Sequence, residues 1–140
     1  AEIGAWHKSN DVSRRLATIP GIGPIIASAI AATVPDPAHF RSGREFAAWL
    51  GLVPRQYSTG GKVRLGRITK TGDSYLRSLL VMGARSLLAK ASSEGNRLSR
   101  WALKLKERAG YGKAVVAIAA KNARIAWALL AKGENFRFVN

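Results

Sequence analysis

The chain has 140 residues, enough for one domain with a real core, and carries 23 Lys and Arg against 8 Asp and Glu, a formal net charge of +15. That balance points to a polyanionic partner, nucleic acid first and an anionic membrane surface second. The absence of cysteine excludes a disulfide framework, a thiolate metal site and a cysteine nucleophile, and suits the cytosol.

Read in chain order, the sequence is mostly helical. The first residues, AEIGAWHKSND, lack the apolar centre of a signal peptide. Residues 10–18 (NDVSRRLAT) predict a short helix that Asn10 or Asp11 can cap. Residues 24–34 predict a second helix, with Pro24 at its favourable first position, and PDPAHF (35–40) interrupts the pattern. SGREFAAWL (42–50) opens with Ser42 followed three residues later by Glu45, the spacing of a capping box. A basic loop spans 52–72, and the alternation of Val63, Arg64 and Leu65 is compatible with a short hairpin inside it.

From Asp73 the helical period returns. Leu76, Leu79, Leu80, Leu87 and Leu88 mark one face of 74–91, a helix that also carries Arg77. After a turn at 92–96, residues 97–109 set Leu98, Trp101, Ala102, Leu105 and Ala109 on one side and Arg97, Arg100, Lys104 and Arg108 on the other. Beyond GYG (110–112) a last helix runs to about Ala131, with Val115, Ile118, Ala119, Ile125, Ala126, Leu129 and Leu130 as its apolar stripe. Lys113, Lys121, Arg124 and Lys132 lie opposite that stripe. Lys121, Asn122 and Arg124 interrupt the longest apolar run (114–131), which a membrane span tolerates poorly, so the expectation is a soluble protein. The tail 133–140 could extend as a strand or as an arm onto a partner subunit.

The fold expected is therefore mainly α: a single compact domain with the loop at 52–72 and a bundle of two or three long amphipathic helices over 73–132. Glu107 is the single acid between residues 95 and 133, so the polar faces of the last two helices are cationic rather than mixed. They are either ordinary solvated faces or nucleic-acid contacts, and the charge favours the second. The tryptophans lie on or near apolar stripes and suit core or interface; Tyr57 and Tyr111 are the better candidates for base stacking.

Two segments carry chemistry. IPGIGPIIASAIAA (19–32) resembles a helix-hairpin-helix over 10–34, with Gly21 and Gly23 allowing backbone to approach a phosphate and the second helix's N-terminal amides pointing at it. The alternative is a tight turn between two packed helices. PRQYSTGGKVRLGRITKTG (54–72) sets Ser58 and Thr59 among Arg55, Lys62, Arg64, Arg67 and Lys70 with no acid before Asp73. A serine hydroxyl can open a phosphodiester to a phosphoserine, with cations stabilising the charge that develops on phosphorus. A basic loop that only touches phosphates has the same composition. The acids are isolated along the chain, and His7 and His39 have no ligand spacing, so no metal site is expected in these residues.

The segments IPGIGPIIASAIAATV (19–34), FRSGREFAAWLGLVP (40–54), GLVPRQYSTGGKVRLGRITKTGDSYLRSLLVMGAR (51–85) and GKAVVAIAAKNARIAWALL (112–130) occur in an order that resembles the C-terminal domain of the insertion-sequence 110/1111 family of transposases, shared with the 116 and 902 relatives. The resemblance covers about residues 12–132. It implies a DNA transposition domain whose serine nucleophile is Ser58, with Thr59 as the alternative register. It also implies a separate N-terminal acidic domain binding Mg²⁺ in the full-length enzyme, so that this chain is a fragment that binds DNA but does not recombine it alone. An element-encoded guide RNA and a homo-oligomer are further implied partners, at work in the bacterial cytoplasm on the nucleoid. Gly21, Gly23, Lys62, Arg64, Arg67, Lys70, Arg77, Arg97, Arg100, Lys104, Lys113, Lys121 and Arg124 are the expected nucleic-acid contacts.

Overall fold

The computed structural model describes residues 10–34, 36–52 and 70–133, and among them it is helical without strands. Six α-helices follow one another: α1 (Asp11–Leu16), α2 (Pro24–Thr33), α3 (Gly43–Trp49), α4 (Lys70–Ala89), α5 (Arg97–Ala109) and α6 (Tyr111–Lys132), with a 3-10 turn at Pro37–His39. The mainly α expectation holds. The serine segment, the Val63–Leu65 hairpin and the tail beyond Gly133 lie outside the described residues.

Local chemistry sets most boundaries. Asn10 caps α1, its side chain accepting from the Ser13 amide at 2.8 Å. Ser42 caps α3, its hydroxyl accepting from the Glu45 amide at 3.2 Å, and Glu45 reaches back to the Arg41 amide at 3.2 Å. The box is therefore displaced by one residue from the usual reciprocal form. The largest difference from expectation is at α4, which begins at Lys70 rather than Asp73, so residues 70–72 are helix and not loop, while α1 ends at Leu16 and α4 at Ala89, two residues short of the expected ends. Its packed turns propagate back through Gly72 and Thr71 because no proline stops them, and propensity is a weak prior beside packing.

The core is built around α6. This helix packs on α4, α3, α5, α1 and the 3-10 turn, and Ala114, Ile118, Ala119, Ala123 and Ala126 are fully buried along it. Small side chains let neighbours approach from several directions, so burial reaches well beyond the single stripe expected. By length and composition α6 is apolar enough to cross a membrane, yet half of that window is buried inside the fold. Phe46, Leu50, Leu76 and Leu80 fill the space between α3, α4 and α6, with Phe40 edge-on to Phe46 at 5.1 Å. Burying each such side chain contributes about 1.5–3 kcal/mol. Trp127 donates its ring N–H to the Pro37 carbonyl at 2.9 Å, which fixes the 3-10 turn to α6.

Helices α1 and α2 pack on each other through Leu16, Ala27 and Ile30, and a buried hydroxyl pair, Ser13 and Ser28 at 3.2 Å, sits between them. The connection between them is held from two sides. Asn122 of α6 donates to the Pro20 carbonyl at 3.0 Å, and a Cβ on Gly83 of α4 would lie 2.1 Å from the Gly21 carbonyl oxygen.

Candidate nucleic-acid interface

The α5 surface follows from its capping and its period. Asn96 accepts from the Ser99 amide at 2.9 Å, and Leu98, Ala102 and Leu105 are buried on the side toward the core. Arg97, Lys104 and Arg108 are left exposed, at positions i, i+7 and i+11 of one face, with half-buried Trp101 between them. Arg100 stands apart. Its guanidinium donates to the Gly95 carbonyl at 2.6 Å and closes the turn before the helix.

The basic residues of α6 do not form a freely solvated stripe. Lys113 is exposed in the first turn, but Lys121 and Arg124 are half-buried, because α6 is the central helix and both α3 and α5 pack on it. The Lys121 ammonium sits over the Trp101 ring, 5.0 Å from its centroid. Burial, and secondly the positive charge of Arg44 on α3, lower the Arg124 guanidinium from its ordinary value. Lys121 thus lies against α5 and Arg124 against α3.

At the other end of α3, Arg77 of α4 donates to the Leu50 carbonyl at 3.4 Å and lies against Gly51. A cation at a helix C-terminus is favourable, so this predicted contact residue has a structural partner as well. Leu52 is buried just beyond it, and α4 starts two turns before Arg77. Ser58, Thr59, Lys62, Arg64 and Arg67 lie outside the described residues, and Lys70 is the first residue of α4.

The two hairpin glycines separate. Gly21 has φ +90, is half-buried, and packs against Gly83, Leu87 and Asn122. Its backbone freedom is used for close approach to α4 and α6. Gly23 is exposed with nothing within 4 Å of its Cβ position, and it precedes α2 without a side-chain cap. Beside them a cleft of about 660 Å³ runs between the 17–23 turn, α4 and the start of α5, bordered by Ile26, Met82, Leu87, Lys90 and Ser99.

The chain matches the model of the Transposase IS116/IS110/IS902 family over residues 13–103. It belongs to that family. It is 51% identical to a transposase of Sinorhizobium fredii over 94% of this chain and 34% of that protein. It is 52% identical to a family 20 transposase of Pseudomonas aeruginosa over 97% of this chain and 40% of that protein. To the transposase for insertion sequence element IS1111A of Coxiella burnetii it is 43% identical, over 97% and 37%. The chain thus spans between about a third and two fifths of the length of these relatives.

The family match covers α1 to the middle of α5 and includes the serine segment; Lys104 and α6 lie beyond it, within the longer similarity to the individual transposases. No three carboxylate or imidazole side chains converge on a metal site among the described residues of this transposase-family chain. Sequence reading passed over Arg44, Gly83 and Asn122. Periodicity marks Arg44 as one more surface cation, and nothing local announces that Gly43 beside it touches α6. Asn122 looked like an interruption of an apolar run, which is the signal of a buried polar anchor as much as of a solvated face.

Proposed function

We propose that the chain is the serine-bearing domain of a DNA transposase, and that in the whole enzyme Ser58 is the nucleophile. Its oxygen bonds to the phosphorus of a DNA phosphodiester and the bond to one sugar oxygen breaks. The serine proton goes to a base of the complete active site, and the departing sugar oxygen takes up a proton from an acid group there and leaves as a hydroxyl. The phosphoserine conserves the bond for attack by a new sugar hydroxyl. Lys62, Arg64, Arg67 and Lys70 are the cations that offset the developing charge.

The observation that carries this reading is the family match, which runs through the serine segment. The acid-poor side of α5 and α6 supports DNA backbone contact there, through Arg97, Lys104, Lys113, Lys121 and Arg124. The reading extends to an element-encoded RNA as second polyanion, and to a homo-oligomer that presents two such serines to two strands. The test is Ser58→Ala, with Thr59→Val for the register, in the full-length transposase. Strand exchange and the serine–DNA adduct should be lost while DNA and RNA binding persist. Undiminished exchange in Ser58→Ala refutes the nucleophile, and leaves the second reading, a backbone-binding module without catalysis, which the cationic side supports equally.

A further inference from the structure

Helix α6 ends at Gly133, whose φ of +67 turns the chain off the helix axis while its amide still donates to the Leu129 carbonyl at 2.7 Å. The space it turns beside, of about 490 Å³, is bordered by Asp11, Arg14, Arg15 and Thr18. Arg14 pairs with Asp11, so Arg15 leaves this border net positive. Thr18 also borders the cleft of about 660 Å³, which makes the two spaces neighbours along the 17–23 turn. Apolar side chains line that cleft from several elements: Ile22 of the turn, Ile26 of α2, Met82 and Leu87 of α4, and Leu98 of α5. Met82 is 60% exposed, the most exposed large apolar side chain among the described residues. An open apolar cleft of this kind marks a place where another segment packs.

The residues after Gly133 read ENFRFVN. In an extended chain successive side chains alternate, so Phe136 and Phe138 fall on one face and Asn135 and Arg137 on the other. Glu134, the first of them, follows the glycine at the Arg15 border, where opposite charge favours it. Phe138 comes five residues after Gly133, a reach of roughly 17 Å. We propose that residues 134–138 occupy the cleft of their own chain: Glu134 lies at Arg15, the backbone passes Thr18 extended, and Phe136 and Phe138 pack on Ile26, Met82 and Leu87. Aromatic rings suit this lining because each buries a large apolar area and a methionine thioether adapts to a ring edge. Arg137 faces water. This docking goes beyond the transposase reading and does not depend on Ser58.

The test is cross-linking and melting of the full 140-residue chain. The chain has no cysteine, so Asn140→Cys, which keeps both phenylalanines, is paired in turn with Ser86→Cys, Lys90→Cys and Lys113→Cys. Ser86 and Lys90 are exposed positions bordering the cleft. Lys113 lies in the first turn of α6, about 30 Å from Gly133 along the helix, beyond the roughly 23 Å that residues 134–140 can span. Under mild oxidant at low protein concentration, at least one cleft pair should form a disulfide within one chain, roughly tenfold or more faster than the Lys113 pair. Phe136→Ser and Phe138→Ser should each lower Tm by roughly 3–12 °C. Arg137→Ser, on the opposite face, should leave it within about 2 °C. Disulfides that join two chains instead overturn docking within the chain and assign the cleft to a second copy. Equal linking in all three pairs, or none in any, overturns the cleft as the docking place even where the serine variants melt lower. Unchanged melting of both phenylalanine variants overturns the packing of the rings. Strand exchange by Ser58 stands or falls separately from all of these outcomes.

Discussion

Gly83→Ala is the sharpest probe of how this molecule is assembled. Gly83 is buried in the middle of α4, and a Cβ there would stand 2.1 Å from the Gly21 carbonyl oxygen and 3.1 Å from Ile26 Cδ1. On an exposed helix the replacement would stabilise by about 1 kcal/mol, because alanine is the better helix former. Here the 17–23 turn must retreat by roughly 1 Å to reach an ordinary carbon–oxygen contact. It cannot do so freely: Gly21 also abuts Asn122, and the Pro20 carbonyl accepts from the Asn122 amide at 3.0 Å. Overpacking of this kind costs about 1–3 kcal/mol. Loss of the Asn122 hydrogen bond adds about 1 kcal/mol. Against the helix gain, the net destabilisation is about 1–3 kcal/mol, a fall in Tm of roughly 3–12 °C for a domain of this size. Thermal and urea unfolding followed by circular dichroism measure it, with the urea midpoint shifting at constant m. Gly112→Ala, in the first turn of α6 with nothing within 4 Å of its Cβ position, is the control and should be neutral or stabilising. If Gly83→Ala behaves like Gly112→Ala, the close approach of the turn to α4 is refuted.

Three further outcomes follow from the same contacts. Asn122 is buried and its Oδ1 has no hydrogen-bond partner among the described residues, so Asn122→Asp should fold better in acid than at neutral pH. Burial raises the folded pKa above the unfolded value of about 3.9, so the protonated form's stability is present below that value and is lost as pH rises through the folded pKa. A pH series of urea midpoints checks it, and a flat difference from wild type refutes it. Ser42→Ala should cost about 1 kcal/mol by removing the α3 cap, read as a shift in urea midpoint. Lys121→Met should cost at most about 1 kcal/mol in stability, the worth of the contact with Trp101, while lowering the salt slope for DNA binding by up to about 0.9.

Much of the local structure was legible in the residues. The helix of Arg97–Ala109 has the expected bounds, because asparagine before it and glycine after it are strong punctuation and its apolar face keeps a strict period. The period in the residues puts the start of α4 three residues too late, since Lys70–Gly72 carry no periodic signal and their helicity is inherited from packing further along. The period of α6 shows one apolar stripe, whereas burial extends around much of the helix. An alanine-rich helix gives little contrast between faces, and its position at the centre of the fold is decided by how many neighbours pack on it.

What the sequence determined by itself is the charge, the helical class, the caps and the order of motifs that marks the transposase family. All of these depend on residue types and on spacings of a few positions. Only the tertiary structure decided which cations have structural partners, since Arg100 and Arg77 bond carbonyls and the charge of Arg44 acts on the half-buried Arg124 from a distant segment. It likewise turned Gly21 inward onto Gly83 and left Gly23 outside. The physical reason is common to these cases. A side chain's partner across a helix crossing is set by backbone distances of about 3 Å between segments far apart in the chain, and no local period encodes such a distance.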